Sequence, residues 1–284
     1  MNSIFLSLFP KNRNIKKSLL TLLCFLIIAA TQAQTLRDAV VVVRPNYTQN
    51  TVKFLTDFAA SLHRDGYIKA ADLLTAYSKG GYGTGILWKN QKDNRYYIIT
   101  NRHVVAQAKN ANIEFMPADS AVVKYKNCPI IAVDESSEMA LIALPKEAHF
   151  KASLGFSTEK LSDGDEVYSA GFPGLGSDPS WQLGKGIISN NSAKLKNWVL
   201  QKSAKIIQHT AQVDPGSSGG PLLVKEKNSS VGYAVVGINT WKVIDRESAN
   251  FSIAAATMQQ FLNNYFAQPD QQSQASLQKK AQDF

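Results

Sequence analysis

The stretch Asp214-Pro215-Gly216-Ser217-Ser218-Gly219-Gly220-Pro221, leading into Leu222-Leu223-Val224, decides how the rest of this chain is read. Attack on an amide carbonyl needs a hydroxyl presented at a tight turn, with backbone N–H groups aimed at the oxygen that gathers negative charge. Gly216 lets the chain curl so that its own N–H and that of Ser218 form an oxyanion hole. Gly219 and Gly220 keep side chains clear of an incoming substrate. A lone Gly-Ser dipeptide reads as an ordinary turn, but the full Gly-x-Ser-Gly-Gly-Pro string ahead of a strand makes Ser218 the candidate nucleophile.

Upstream lie Gly83-Thr84-Gly85-Ile86-Leu87 and Tyr97-Ile98-Ile99-Thr100-Asn101-Arg102-His103-Val104-Val105. An apolar strand delivers His103 at its end, followed by a short helical turn. Of the four histidines, His63 falls on an amphipathic segment and His149 in a loop. His209 is the rival base closest to Ser218 in sequence, but an extended strand and turn between them carry it well away. His103 is the candidate general base.

Around these motifs the chain reads as short apolar or alternating runs broken by Gly, Pro, Asn and Asp. They are 85–88, 96–100, 113–116, 121–125, 129–133, 139–144, 166–171, 181–189, 206–210, 221–224 and 233–240. Such runs at regular spacing, without helical interruption, indicate an antiparallel sandwich or pair of barrels. Ahead of them, residues 34–80 read as a helical extension: a short strand over 39–43, then two helices. Phe54, Leu55, Phe58, Ala59 and Leu62 recur at helical spacing in the first helix, which Gly66 ends. Ile68, Leu73, Leu74 and Tyr77 line the second. Both stripes are expected to be packing faces. A last helix spans 257–266, and the Gln- and Ser-rich tail 268–284 is expected to be disordered.

The three blocks Thr100–Val105, Val133–Leu144 and Asp214–Pro221 resemble those of trypsin-like serine peptidases, most of all the bacterial HtrA/Deg branch. Val167–Pro173, Gly186–Ser189 and Val236–Thr240 resemble that branch's intervening strands, in order. The resemblance covers roughly residues 83–262 and implies a mostly β protein: two six-stranded antiparallel barrels over 81–267, with a His–acid–Ser triad in the cleft between them. Glu138 stands where the family's triad aspartate is expected, and Asp134 lies four residues too early to replace it. The longer side chain requires a local shift. It also motivates a second reading, a catalytically silent peptide-binding protein that keeps the cleft. The PDZ domain common in the HtrA branch is not expected after the final helix. Neutral Ser217, just before the nucleophile, offers no charge to pair with a newly cut N-terminus, so activation by such trimming is not expected.

The resemblance also assigns the primary specificity pocket: Gln212 at its base, with walls from Val213 and the strand Ile238-Asn239-Thr240. A Lys or Arg entering it would bury a charge without a carboxylate partner. Aliphatic or small residues are therefore expected before the cut. Trp241 narrows the mouth in this reading, acidic residues drawn by Lys242 come second and basic residues last. Dominance of Lys or Arg would instead implicate Asp214 or Asp245.

At the N-terminus, Lys11, Arg13, Lys16 and Lys17 precede the apolar run 19–30, and Thr31-Gln32-Ala33 follows. This is the pattern of a secretory signal peptide over 1–33, cleaved after Ala33. The apolar run is shorter than the ~20 residues that span a bilayer, which disfavours an uncleaved anchor. Export to the periplasm or cell exterior is expected, with no stable membrane span after cleavage. Cleavage lowers the net charge from +9 to +5, diffuse and without basic runs, so nucleic-acid binding is not expected. It also leaves Cys128 as the only cysteine, so the exported chain must be held by its core alone. Polypeptides are the expected partners, the oligomeric state is open, and the chemistry calls for neither metal nor cofactor.

Overall fold

The computed structural model describes residues 36–175, 178–194, 204–242 and 248–267. The expected signal segment and the tail lie outside the described residues. Twelve strands close into two six-stranded barrels. The first has the order β1-β2-β3-β6-β5-β4: β1 (Val40–Pro45), β2 (Gly83–Asn90), β3 (Arg95–Asn101), β4 (Asn110–Phe115), β5 (Val123–Asp134) and β6 (Met139–Ala143). The second has the order β10-β11-β14-β13-β12-β7: β7 (Glu166–Gly171), β10 (Gln182–Ala193), β11 (Ile206–His209), β12 (Pro221–Lys225), β13 (Tyr233–Lys242) and β14 (Asn250–Ala254). A small pair, β8 (Gly174–Leu175) with β9 (Asp178–Pro179), stands apart.

Strand alternation divides the core into three parts. On β1, Val41 and Val43 point into the first barrel with Leu87, Ile98 and Ile142. Val40 and Val42 face the other way, into a shared core with Tyr97, Phe172, Leu223 and Met258 that spans both barrels. Val167, Ile188, Ile207, Leu222 and Val236 fill the second barrel. An uninterrupted valine run is what a strand buried on both faces requires.

Three expectations are revised. The 34–80 extension divides: β1 is an integral barrel strand, pairing with both β2 and β4. Only α1 (Gln49–Arg64) and α2 (Ile68–Ser78) stand outside the barrel, inserted between β1 and β2. Secondly, the runs 121–125 and 129–133 are one strand, β5, with a register shift against β4 in place of a turn. Asn127 takes the left-handed backbone there, at φ 55°, which the sequence reads as a break. Thirdly, β14 was not foreseen; its Asn250 and Ser252 look like surface residues but are buried.

The helical insert ends its first helix as Gly66 predicts. Gly66 adopts φ 85°, and the Tyr67 N–H reaches back to the Leu62 carbonyl at 2.8 Å while the Gly66 N–H reaches His63, a Schellman closure. Leu55 and Ala59 are its buried residues, whereas Phe54 and Phe58 stack on each other in solvent, so the first stripe packs only in part. The last helix, α4 (Ala255–Phe266), buries Met258, Phe261 and Leu262.

Candidate active site

His103 lies on α3 (Arg102–Val105), the single turn that follows β3. Antiparallel pairing of β3 with β6 sets Asn101 opposite Met139, and the Arg102 N–H continues the ladder to the Glu138 carbonyl at 3.0 Å. This register puts the Glu138 side chain beneath His103. One carboxylate oxygen, Oε1, accepts both the His103 backbone N–H and the ring Nδ1–H, each at 2.8 Å. An ionised carboxylate can only accept, so the proton sits on Nδ1 and the Nε2 lone pair is left for base chemistry. Burial works to raise the Glu138 pKa, but the His103 hydrogen bonds and charge, with Arg102 beyond, outweigh it and hold the carboxyl below its usual range.

Glu138 adopts φ 58°, a left-handed conformation costing roughly 1–2 kcal/mol for a residue with a side chain. The strain is held by Arg102 N–H and by Asn101 Nδ2, which also reaches the Glu138 carbonyl at 3.3 Å. Asp134 is occupied elsewhere. Its oxygens take Ser136 N–H at 2.9 Å, Ser136 Oγ at 2.6 Å and Ser137 Oγ at 2.6 Å, closing the turn that delivers Glu138. Burial pushes its pKa up, and these hydrogen bonds bring it below the usual value. The helical insert stands on the same side: burial, followed by the nearby Glu138 charge, pushes the Tyr77 phenol up to about 12.

The serine turn is fixed by its carbonyls. Pro215 O accepts from Gly174 N–H at 3.0 Å, Ser217 O from Gly220 N–H at 2.9 Å and Ser218 O from Thr84 N–H at 2.8 Å. The Gly219 N–H donates to Asn239 O, and Gly219 itself has φ 87°. Among the described residues, the N–H groups of Gly216 and Ser218 have no acceptor. A side chain on Gly83 would meet Val104 at 2.6 Å and the Ser218 carbonyl at 2.9 Å, so the histidine and serine turns converge on that glycine. Among the described residues no hydrogen bond joins Ser218 Oγ to His103, whose ring engages Glu138. Such bonds commonly tighten only when substrate is bound.

Of the other histidines, His63 and His149 are exposed, and His209 is fully buried in the second barrel. Cys128 is a buried thiol whose pKa burial pushes up to about 11, as expected of a packed residue. In the expected pocket, Val213 and Ile238 are buried. The Gln212 amide donates to Asp214 Oδ2 at 2.6 Å, and Lys242 Nζ reaches Asp214 Oδ1 at 2.9 Å. The Thr240 hydroxyl accepts from Asn101 Nδ2 at 3.1 Å, which ties β13 to the first barrel. The Trp241 side chain and Asp245 lie outside the described residues. Among the described residues, no group of three or more His, Cys, Asp or Glu side chains is placed to hold a metal, and no helix is long and apolar enough to cross a membrane.

Residues 83–237 match the trypsin-like peptidase domain family. The chain belongs to that family. The peptidase domain is 28% identical over 180 residues to the serine protease Do-like HtrA of Bacillus subtilis, covering 62% of this chain and 37% of that protein. It is 31% identical over 175 residues to HtrB of the same organism, covering 60% and 35%. The chain thus spans about a third of the length of these relatives. Among solved structures, the Rv3671c protease from M. tuberculosis in its active form superposes with a TM-score of 0.55 at 20% identity, over 83% of this chain and 82% of that one. At that identity the likeness concerns the fold, and it agrees with the two barrels described above.

Sequence reasoning did not single out Thr84, Asn101 or Asn239. Thr84 lies within a quoted motif to which the sequence gives no role of its own. Its signal was a hydroxyl set in an otherwise apolar strand start, Gly-Thr-Gly-Ile-Leu-Trp.

Proposed function

We propose that this chain is an exported serine endopeptidase acting through Ser218, His103 and Glu138. Ser218 Oγ attacks the scissile carbonyl carbon, and its proton passes to His103 Nε2. The negative oxygen is received by the N–H groups of Gly216 and Ser218. Collapse breaks the C–N bond, and His103 returns the proton to the leaving amine. Water, deprotonated by His103, then releases the acyl group from Ser218. Glu138 orients the imidazole and stabilises its cation without taking the proton.

The observation that carries this reading is the pair of 2.8 Å bonds from His103 to one oxygen of Glu138. A silent peptide-binding role was motivated by Glu138 replacing aspartate. That motive weakens once Glu138 makes both contacts an orienting acid must make.

The substrate is an exposed or unfolded polypeptide with an aliphatic or small residue before the cut. Asp214, the one carboxylate beside Gln212 in sequence, is engaged by both Gln212 and Lys242, so an entering Lys or Arg finds no free partner. Export follows from the signal-like segment at residues 1–33 and rests on sequence alone.

Casein zymography with and without a serine-directed fluorophosphonate tests the proposal, with Ser218→Ala as the control. Wild-type clearing that the reagent abolishes, no clearing by Ser218→Ala, and cuts after aliphatic or small residues are expected. A Ser218→Ala protein that still cleared casein would overturn the assignment.

A further inference from the structure

Four consecutive peptide units, from Pro215–Gly216 to Ser218–Gly219, set the direction of every N–H in the serine turn. In a trans peptide the carbonyl and the N–H point in opposite directions, so an anchored carbonyl fixes its N–H. The carbonyls of Pro215, Ser217 and Ser218 are held by backbone donors from Gly174, Gly220 and Thr84. That of Gly216 is held differently, by a side chain. The Thr84 hydroxyl donates to Gly216 O at 2.7 Å.

This hydroxyl has one orientation. Its oxygen accepts the Phe172 N–H at 3.0 Å, so its single proton is directed to Gly216. Thr84 is fully buried, which excludes water as a substitute partner. The other face of the same peptide is also held, with the Ser217 N–H donating to Asp214 O at 2.8 Å. Thr84 therefore grips the turn twice, at Gly216 O through its side chain and at Ser218 O through its N–H. Its own carbonyl accepts the Thr100 hydroxyl at 2.7 Å, which connects the grip to the strand that leads to His103.

The residue before Ser218 is a buried serine whose hydroxyl accepts the Asp214 N–H at 3.3 Å, within the turn itself. Gly216, at φ 97°, has the conformational freedom to rotate its peptide units.

We propose that the Thr84 hydroxyl is the positioning group that holds the Gly216–Ser217 peptide, the unit linking the two peptides that carry the Gly216 and Ser218 N–H groups, so that both N–H groups stay unpaired and available to a developing oxyanion. This rests on the peptidase reading above. Loss of a whole oxyanion donor costs about 10²–10³ in rate. Loss of its support is expected to cost less, about 10- to 100-fold in kcat.

The test is steady-state hydrolysis of a peptide amide by wild type, Thr84→Val and Thr84→Ser, with inhibition by a peptide aldehyde that forms a tetrahedral adduct. Thr84→Val should lose kcat at unchanged KM and lose aldehyde affinity in parallel. Thr84→Ser should stay within a few-fold of wild type. The pH dependence of kcat/KM should not move, because the His103–Glu138 contact is untouched. Wild-type kcat in Thr84→Val, or equal losses in Thr84→Val and Thr84→Ser, would overturn the proposal. If Thr84→Val folds poorly, Thr84→Ser against Thr84→Ala makes the same comparison without the methyl group, and equal kcat in that pair refutes it. An active wild type with an unimpaired Thr84→Val removes only this proposal. A wild type inert toward both substrate and fluorophosphonate removes the peptidase reading, and this proposal with it.

Discussion

His209 makes the second barrel sensitive to mild acid, by an amount that follows from its burial. Its Nε2 lies 2.9 Å from Ser252 Oγ, which donates to Asn239 Oδ1, and Asn239 Nδ2 continues to Ser169 Oγ. The Ser252 proton is thereby spent on Asn239, so His209 donates from Nε2. Burial pushes its pKa down from 6.5 to about 4, and the Ala211 backbone offsets only part of this. A group that resists protonation when folded stabilises the fold above its unfolded value and loses that contribution as pH falls towards the folded one. A pH near 4.5 lies about two units below the unfolded value and about half a unit above the folded one, a loss of roughly 2–3 kcal/mol relative to pH 7. In a domain of this size that corresponds to roughly 5–10 °C in midpoint. Glu114, Asp134 and Glu138 have lowered values, so their contributions hold above the usual carboxylate range and fade only below it. Urea unfolding at about pH 7 and pH 4.5, for wild type and His209→Gln, reads the difference. The variant should be less stable at neutral pH, and the gap should shrink by roughly 2–3 kcal/mol in acid. A gap that stays constant would refute the assignment of a neutral buried His209.

Two further outcomes follow from the site. Glu138→Gln cannot accept both His103 N–H groups as an anion and should lower kcat by several orders of magnitude, on the order of 10⁴ for the equivalent change in a triad; Glu138→Asp should retain activity or raise it, and equal turnover by wild type and Glu138→Gln would show that another group orients the imidazole. Gly219→Ala should yield a misfolded or inert protein by circular dichroism and activity, because its Cβ would lie 2.1 Å from Thr84 O and 2.2 Å from Thr100 Oγ1 at φ 87°.

The two candidate catalytic motifs are legible because their constraints are local. A nucleophile turn needs its glycines within a few residues, and the histidine comes at the end of an apolar strand. Glu138 is legible only by its position within a block, and nothing local in the sequence signals its left-handed backbone. The residues that were missed act across long separations. Thr84 and Gly216 are 132 residues apart, and Asn101 and Thr240 are 139 apart. β14 escaped notice for a related reason. Its Asn250 and Ser252 alternate with Phe251 and Ile253, the pattern of a strand with one wet face. Here the polar face is buried: Ser252 joins the His209–Asn239 chain, and Asn250 Nδ2 donates to Ala211 O at 2.9 Å.

The unit that supports the site is longer than the segment that matches the family. Residues 83–237 carry His103, Glu138 and Ser218, yet both barrels close with strands outside that range. Val42 pairs with Thr84 and Val43 with Gly83, so β1 sets the backbone that grips the serine turn. In the second barrel, β14 pairs with both β11 and β13, and without it those two strands would expose unpaired edges. Between β1 and β2 the helical insert is a separate element, added at a barrel connection without breaking strand pairing. The requirement therefore falls unevenly along the N-terminal region. Val40–Pro45 is needed for the site because Thr84 is registered against it, whereas Gln49–Ser78 bears on the site through Tyr77, whose phenol feels the Glu138 charge.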